Sequence, residues 1–237
     1  VLLRRVQDLA ERDALTGVAN RRSFQESLER VVAASADLRD TVAAVLFIDI
    51  DDFKIINDTL GHAAGDDLLV SITERIGGLV REGDIVARLG GDEFAVLTED
   101  LPDLRRARSM AERLIRELRA PFALGGQSVS ISASIGVAGA RDAIDGAADM
   151  VRNADVAMYM AKAGGKAGFA VFDPAMHQAI RARHELAMEL QQAVELDQLI
   201  LRYQPIIDLA TDRVAGVEAL VRWQHPERGL VPPGDFI

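Results

Sequence analysis

Two acidic clusters in this chain have the residue types and spacing for divalent-metal chemistry. The first is Asp49-Ile50-Asp51-Asp52, at the end of a long apolar run. The second is Asp92-Glu93, directly after Gly90-Gly91. Two adjacent carboxylates repel each other unless a cation sits between them or a proton is shared. Hard cations such as Mg²⁺ take one or two carboxylates plus substrate phosphates. A pair of such ions can activate an attacking oxygen and hold a transferring phosphate. Taken alone, the first cluster reads as an acidic strand-to-loop junction and the second as a polar hairpin tip.

Their companions add to the chemistry. Asn57 and Asp66 offer donor and acceptor edges that can read a purine base. A carboxylate such as Asp66 can accept from guanine N1–H and N2–H₂, which adenine does not offer. The simpler alternative is that both residues cap helices. The chain has 27 basic side chains, of which only Lys54, Lys162 and Lys166 are lysines, and each stands inside or near these segments. Arg81 and Asp84 lie just before Gly90. An arginine can stack on a base and pair with phosphate, and Asp84 can accept from a guanine edge. The alternative there is a surface ion pair in a helix-to-strand turn.

Regular elements must position these groups. Residues 41–50 form a near-continuous apolar run rich in β-branched residues, which predicts a central strand. Its alternation puts Asp49 and Asp51 on one face. Gly-Gly suits a tight turn between strands over 85–89 and 94–98. If that hairpin neighbours the central strand, Asp49 and Asp92 converge. Helices are predicted over 1–12, 21–36 with Asn20 as its cap, 64–80, 104–118, 147–163 and 175–196. Strict alternation over 128–137 predicts a strand with one buried face, and a short strand follows at 169–172. The order β-α-β-β-α-β implies an α+β fold with a mainly antiparallel, ferredoxin-like sheet. After Pro174 the pattern changes to a long helix and a strand pair over 200–209 and 213–221, read as the beginning of a second domain.

The net charge of −10 argues against non-specific nucleic-acid binding. It leaves open a nucleotide carried in with divalent metal. The chain has no cysteine, which excludes disulfides and thiolate metal sites and fits a reducing compartment. No stretch of about 18 apolar residues is present, and no signal peptide is apparent. The expectation is a cytoplasmic portion of a longer, two-domain protein whose upstream part could be membrane-anchored.

Residues 47–66 (FIDIDDFKIINDTLGHAAGD) followed by 88–94 (RLGGDEF) resemble the GGDEF family of diguanylate cyclases. Residues 13–22 (DALTGVANRR) resemble its opening segment, and 159–166 (YMAKAGGK) its late lysine-bearing segment. The resemblance implies a nucleotidyl-cyclase, polymerase-palm-like sheet. It implies condensation of two GTP into cyclic di-GMP with release of pyrophosphate, in a site closed only between two subunits of a homodimer. By the same resemblance Asp49, the Ile50 carbonyl, Asp92 and Glu93 hold two Mg²⁺ (or Mn²⁺) ions per half-site. Asp92 takes the 3′-OH proton, and Lys54 joins the catalytic group. Asn57 and Asp66 read guanine with His62 beside the nucleotide, and Lys54, Lys162 and Lys166 contact phosphates. Arg81 and Asp84 match the RxxD site that binds inhibitory product. The family usually has Arg-Asn where this chain has Lys166-Ala167, which predicts weaker triphosphate contact.

Residues 203–206 (YQPI) and 218–223 (EALVRW) resemble the start of an EAL cyclic di-GMP phosphodiesterase domain. There Glu218 is implied as a metal ligand, and Gln204 and Arg222 as substrate contacts. The expected division is a signalling-helix linker over 1–12, a GGDEF domain over 13–173 and an EAL fragment over 174–237. That fragment is not expected to be active by itself. An upstream sensor and a downstream EAL domain are the expected partners in the intact protein. The competing expectation is a catalytically silent module that binds GTP or cyclic di-GMP to regulate the EAL domain.

Overall fold

A computed structural model describes residues 11–35, 42–143 and 146–236. The helix expected over 1–12 lies almost wholly outside the described residues. Two compact units appear, Val1–Asp173 and Pro174–Ile237.

The first unit is organised around β2 (Val42–Ile50), buried at all 9 positions. A strand can be apolar on both faces only when both are covered, and this one is. Each fully buried Val, Leu or Ile contributes about 1.5–3 kcal/mol relative to exposure. On one side β2 pairs antiparallel with β4 (Glu93–Leu101), which pairs with β3 (Ile85–Gly90). On the other side it pairs antiparallel with β7 (Ala133–Gly139). Two short strands extend the edges in parallel: β1 (Ala19–Asn20) beside β3, and β8 (Phe169–Val171) beside β7. The order β1-β3-β4-β2-β7-β8 contains the expected ferredoxin-like arrangement in its four central strands.

Two helices cover each face. On one, α3 (His62–Gly77) and α4 (Leu104–Leu118) bring Leu68, Ile72, Leu114 and Leu118 against Leu46, Ile48 and Val137. On the other, α1 (Arg21–Ser35) and α5 (Ala147–Ala163) pack against the odd-numbered positions of β2 and the even-numbered ones of β7. Asn20 caps α1 as expected, accepting from the Ser23 N–H at 2.9 Å. Contact between α5 and β7 depends on Gly136: a Cβ there would lie 1.9 Å from the Ala154 carbonyl oxygen. This close approach sets the height of α5, and with it the position of Lys162 in its last turn.

In the first unit, two departures from the sequence expectation bear on the site. The strand expected over 128–137 is two elements. β6 (Gln127–Val129) pairs with β5 (Phe122–Leu124) in a separate hairpin, and β7 begins only at Ala133. Every position of β7 is buried, so both of its faces are covered. Ser132, just before β7, and Ser134 within it give the sequence an alternating polar pattern, but both donate to buried Asp51. Second, residues 53–60 form a helix, α2 (Phe53–Leu60), which Ile55, Ile56, Asn57 and Thr59 do not advertise by propensity. Gly61, at φ 85, separates it from α3.

The second unit contains α6 (Ala175–Glu195) and an antiparallel sheet of β9 (Leu199–Asp208), β10 (Arg213–His225) and β11 (Gly229–Val231). β10 runs four residues beyond the expected end, and β11 was not anticipated. A small cluster of Leu186, Ala193, Trp223 and Val231 is buried. Trp223 donates its indole N–H to Gln198 at 3.0 Å. Beyond this cluster β9 is largely exposed.

Candidate functional site

The C-terminal end of β2 and the β3–β4 turn form one rim. Gly90 and Gly91, at φ 147 and 52, turn the chain so that Glu93 opens β4. An added Cβ at either glycine would meet nothing within 4 Å, so the space beside the turn is open. The β2–β4 register sets Asp49 directly opposite Glu93. The Ile50 N–H donates to the Asp92 carbonyl at 3.4 Å, so Asp92 lies just beyond that pair. Arg21, at the start of α1, holds the turn from outside. Its guanidinium donates to the Leu89 carbonyl at 2.9 Å and lies 3.5 Å from Glu93. Arg88 binds the Gly91 carbonyl at 2.8 Å and Asp13 at 3.2 Å. Neither arginine was singled out in the sequence as a support for the turn.

The rim is short of positive charge. Burial raises the Asp49 pKa; Lys162 opposes this, while Asp92 and Asp51 add to it. Burial also raises Glu93 against the pull of Arg21, with Asp49, Asp155 and Asp92 adding. The Lys162 ammonium sits 2.7 Å from Asp49 Oδ1.

Asp51 differs. It is buried, and it accepts from the Ser132 and Ser134 hydroxyls at 2.7 Å each and from the Ala167 N–H at 3.0 Å. It ties the end of β2 to β7 and to the loop after α5. In that loop Lys166 binds Asp52 at 2.8 Å, an exposed pair that raises the lysine pKa. Lys166 and Ala167 both have positive φ, 60 and 51.

Asn57 and Asp66 stand on α2 and α3, and neither caps its helix through its side chain. The Asn57 carboxamide lies over Gly65, where a Cβ would meet its Oδ1 at 2.0 Å. Glycine at 65 thus lets the Asn57 carboxamide approach α3 at the position just before Asp66 in sequence. Asp66, His62 and Lys54 are exposed.

Among the described residues, no three His, Cys, Asp or Glu side chains form a ready-made metal cage. The donors on this rim are nevertheless all hard oxygens with surplus negative charge. That set fits Mg²⁺, which takes one or two carboxylates and completes its shell with water and phosphate oxygens.

The family profile described as "Diguanylate cyclase, GGDEF domain" matches residues 10–168. The chain belongs to the GGDEF family. GGDEF domains are generally Mg²⁺-dependent. The EAL domain profile matches residues 187–237. The bifunctional diguanylate cyclase/cyclic di-GMP phosphodiesterase MucR of Pseudomonas aeruginosa is 40% identical over 99% of this chain and 34% of its own length. The cyclic di-GMP phosphodiesterase NbdA of the same species is 41% identical over 98% of this chain and 29% of its own. The chain thus spans about a third of these relatives. The solved GGDEF domain of TpbB (YfiN) from P. aeruginosa superposes with TM-score 0.69 at 42% identity, over 72% of this chain and 99% of that one. The coiled coil and GGDEF domain of DgcB from Caulobacter crescentus, in complex with c-di-GMP, gives TM-score 0.66 at 28% identity, over 72% and 90%.

Away from the GGDEF rim, Arg81 closes on Asp84 at 3.1 Å and also donates to the Glu99 carbonyl. It lines a cleft of about 610 Å³ together with Arg106, Arg113 and Arg116 of α4. The sequence reading of 104–118 as a helix did not single out these three arginines. In the second unit, Gln204 lies directly opposite Glu218, and alternation puts Arg222 on the same face. Among the described residues, no helix is long and apolar enough to cross a membrane.

Proposed function

We propose that this chain carries a diguanylate cyclase active half-site. The reading rests on one observation: Asp49, Glu93 and Lys162, from three distant segments, meet on one rim with carboxylate charge in excess. Asp49, the Ile50 carbonyl, Asp92 and Glu93 would hold two Mg²⁺ or Mn²⁺ ions, which when bound neutralise charge developing on the phosphates. Asn57 and Asp66 read guanine, with His62 beside the nucleotide. Lys54, Lys162 and Lys166 hold phosphates. Asp92 accepts the proton of the 3′-OH as that oxygen attacks the α-phosphate of the opposite nucleotide. The new P–O bond forms as the bond to the β-phosphate breaks, and pyrophosphate leaves. Repeating the step from the other side closes cyclic di-GMP. Because each chain supplies half of this arrangement, the active form is a homodimer. Product inhibition acts at Arg81 and Asp84, a reading supported by the arginine-lined cleft beside them.

Incubation with GTP and Mg²⁺, followed by chromatography, tests the activity. Cyclic di-GMP is the expected product, and its absence from a verified dimer overturns the reading. A second reading, a GTP- or cyclic di-GMP-binding module that regulates an EAL domain, draws support from relatives named as phosphodiesterases, NbdA and PdeR of Escherichia coli. Nucleotide binding without turnover would favour it. In the whole protein, Gln204, Glu218 and Arg222 are candidates for the substrate and metal contacts of that EAL domain.

A further inference from the structure

Lys162 stands in the last turn of α5, with its ammonium 2.7 Å from Asp49 Oδ1. The aspartate end of the contact is largely enclosed, at 11% side-chain exposure, while the lysine side chain is 32% exposed. The same ammonium draws on Asp155, two turns earlier on α5. It is therefore the principal counter-cation of the rim.

We propose that Lys162 holds the place of a metal ion on Asp49, and moves to the triphosphate when ion and nucleotide enter together. This rests on the reading of Asp49 as a metal ligand. A Mg²⁺–oxygen bond is about 2.0–2.1 Å, and the ammonium donates to the same carboxylate oxygen at 2.7 Å. An ion on that carboxylate and an ammonium 2.7 Å from its Oδ1 repel each other, so ion entry favours departure of the ammonium. Lysine can leave because its charge rides on a flexible four-carbon stem. A displaced ammonium on this rim is best held where another anion meets it, and the triphosphate supplies one. An ion arriving alone leaves Lys162 only the attraction of Asp155, whereas an ion arriving with nucleotide also brings it a triphosphate. Metal and nucleotide therefore bind with positive coupling, which thermodynamics makes reciprocal. A lysine that only contacts phosphate would leave the binding of metal alone unchanged.

The test is Mn²⁺ binding to the 237-residue chain, read from the free-Mn²⁺ EPR signal, with and without α,β-methylene-GTP. Lys162→Met is expected to bind Mn²⁺ alone about three- to tenfold more tightly than the parent chain, the scale of a lost ion pair. The enhancement by nucleotide should shrink by a similar factor. Lys162→Arg keeps a cation on Asp49 and should stay near the parent value. Lys166→Met removes the same charge from Asp52 and should not tighten binding. Circular dichroism in EDTA verifies that each variant is folded. If folded Lys162→Met binds Mn²⁺ no more tightly than the parent, or if Lys166→Met tightens it equally, the exchange is overturned. Asp49→Asn separates the two layers. Its loss of Mn²⁺ binding beside an unchanged Lys162→Met overturns the exchange alone, whereas parent-like binding by Asp49→Asn overturns the metal-ligand reading and the exchange with it.

Discussion

Asp49 and Asp51 stand two residues apart at the end of one strand, and their surroundings are opposite. Asp51 faces β7 and the loop after α5, where two hydroxyls and one N–H fill its acceptor positions. Asp49 faces the β3–β4 turn, where its neighbours are other carboxylates and one lysine. A carboxylate surrounded by fixed neutral donors is a structural joint. A carboxylate crowded by like charges and neutralised by one movable cation is poised for a ligand. Such a group is an expected concession of stability at a functional site.

Substitution should separate the two most clearly in turnover. Asp92→Ala or Asp49→Asn is expected to lower cyclic di-GMP synthesis by about 10³-fold or more, the scale of a lost metal contribution. Neither should destabilise the fold. Near-parent turnover in either variant would remove the distinction drawn between the two sides of the strand. Asp51→Ala should act in the other currency. It strands the Ser132 and Ser134 hydroxyls and the Ala167 N–H, at about 1–3 kcal/mol for each group that finds no new partner. A loss of about 3 kcal/mol would lower Tm by roughly 6–12 °C in a chain of this size. A thermal scan showing no change would mean that Asp51 is not the joint described.

The contrast was only partly legible in the sequence. The apolar run into Asp49 announced a buried central strand, and Gly90-Gly91 announced the turn, because both depend on local chemistry. The α5 boundaries were legible for the same reason, an uninterrupted helical pattern between Gly146 and Gly164. What sequence spacing could not give was the partner of each carboxylate. Alternation put Asp49 and Asp51 on one face, but β2 ends at Ile50, and Asp51 is claimed by serines more than 80 positions away. Those serines were read as the exposed face of a strand. The arginines of α4 were hidden likewise: a solvated helix face and an arginine-lined cleft have the same pattern until the sheet edge beside them is known.

The raised pKa of Asp49 gives the comparison a pH dependence. Between its unfolded value near 3.8 and its higher folded value, the folded chain binds this proton more tightly than the unfolded chain. The contribution of Asp49 to stability is therefore greatest below that window and is lost as pH rises through it. In urea unfolding in EDTA, the stability of Asp49→Asn relative to the parent should increase as pH rises from 4. A difference that shrinks as pH rises would reverse the assignment. A smaller effect is expected at Lys166. Lys166→Arg restores planar, bidentate donors toward phosphate and should lower the KM for GTP by about two- to threefold with kcat little changed. A change in kcat alone would place Lys166 outside ground-state phosphate binding.

The finest test falls on the loop that Asp51 secures. Ala167, at φ 51, lies in the left-handed region, which costs an L-residue with a Cβ about 1–2 kcal/mol relative to ordinary helical geometry. Two bonds hold it there: its N–H to Asp51 and its carbonyl to Arg119 at 2.6 Å. Glycine adopts this geometry without the steric cost but loses more conformational freedom on folding. The balance favours Ala167→Gly by about 0.5–1 kcal/mol in urea unfolding. Asparagine, which tolerates the same region, should recover part of that gain. Combined with Asp51→Ala, the glycine substitution should stabilise less, because one of the two bonds that hold the left-handed conformation is gone. An additive double variant would mean that the loop keeps its shape without Asp51, and that the joint lies between β2 and β7 alone.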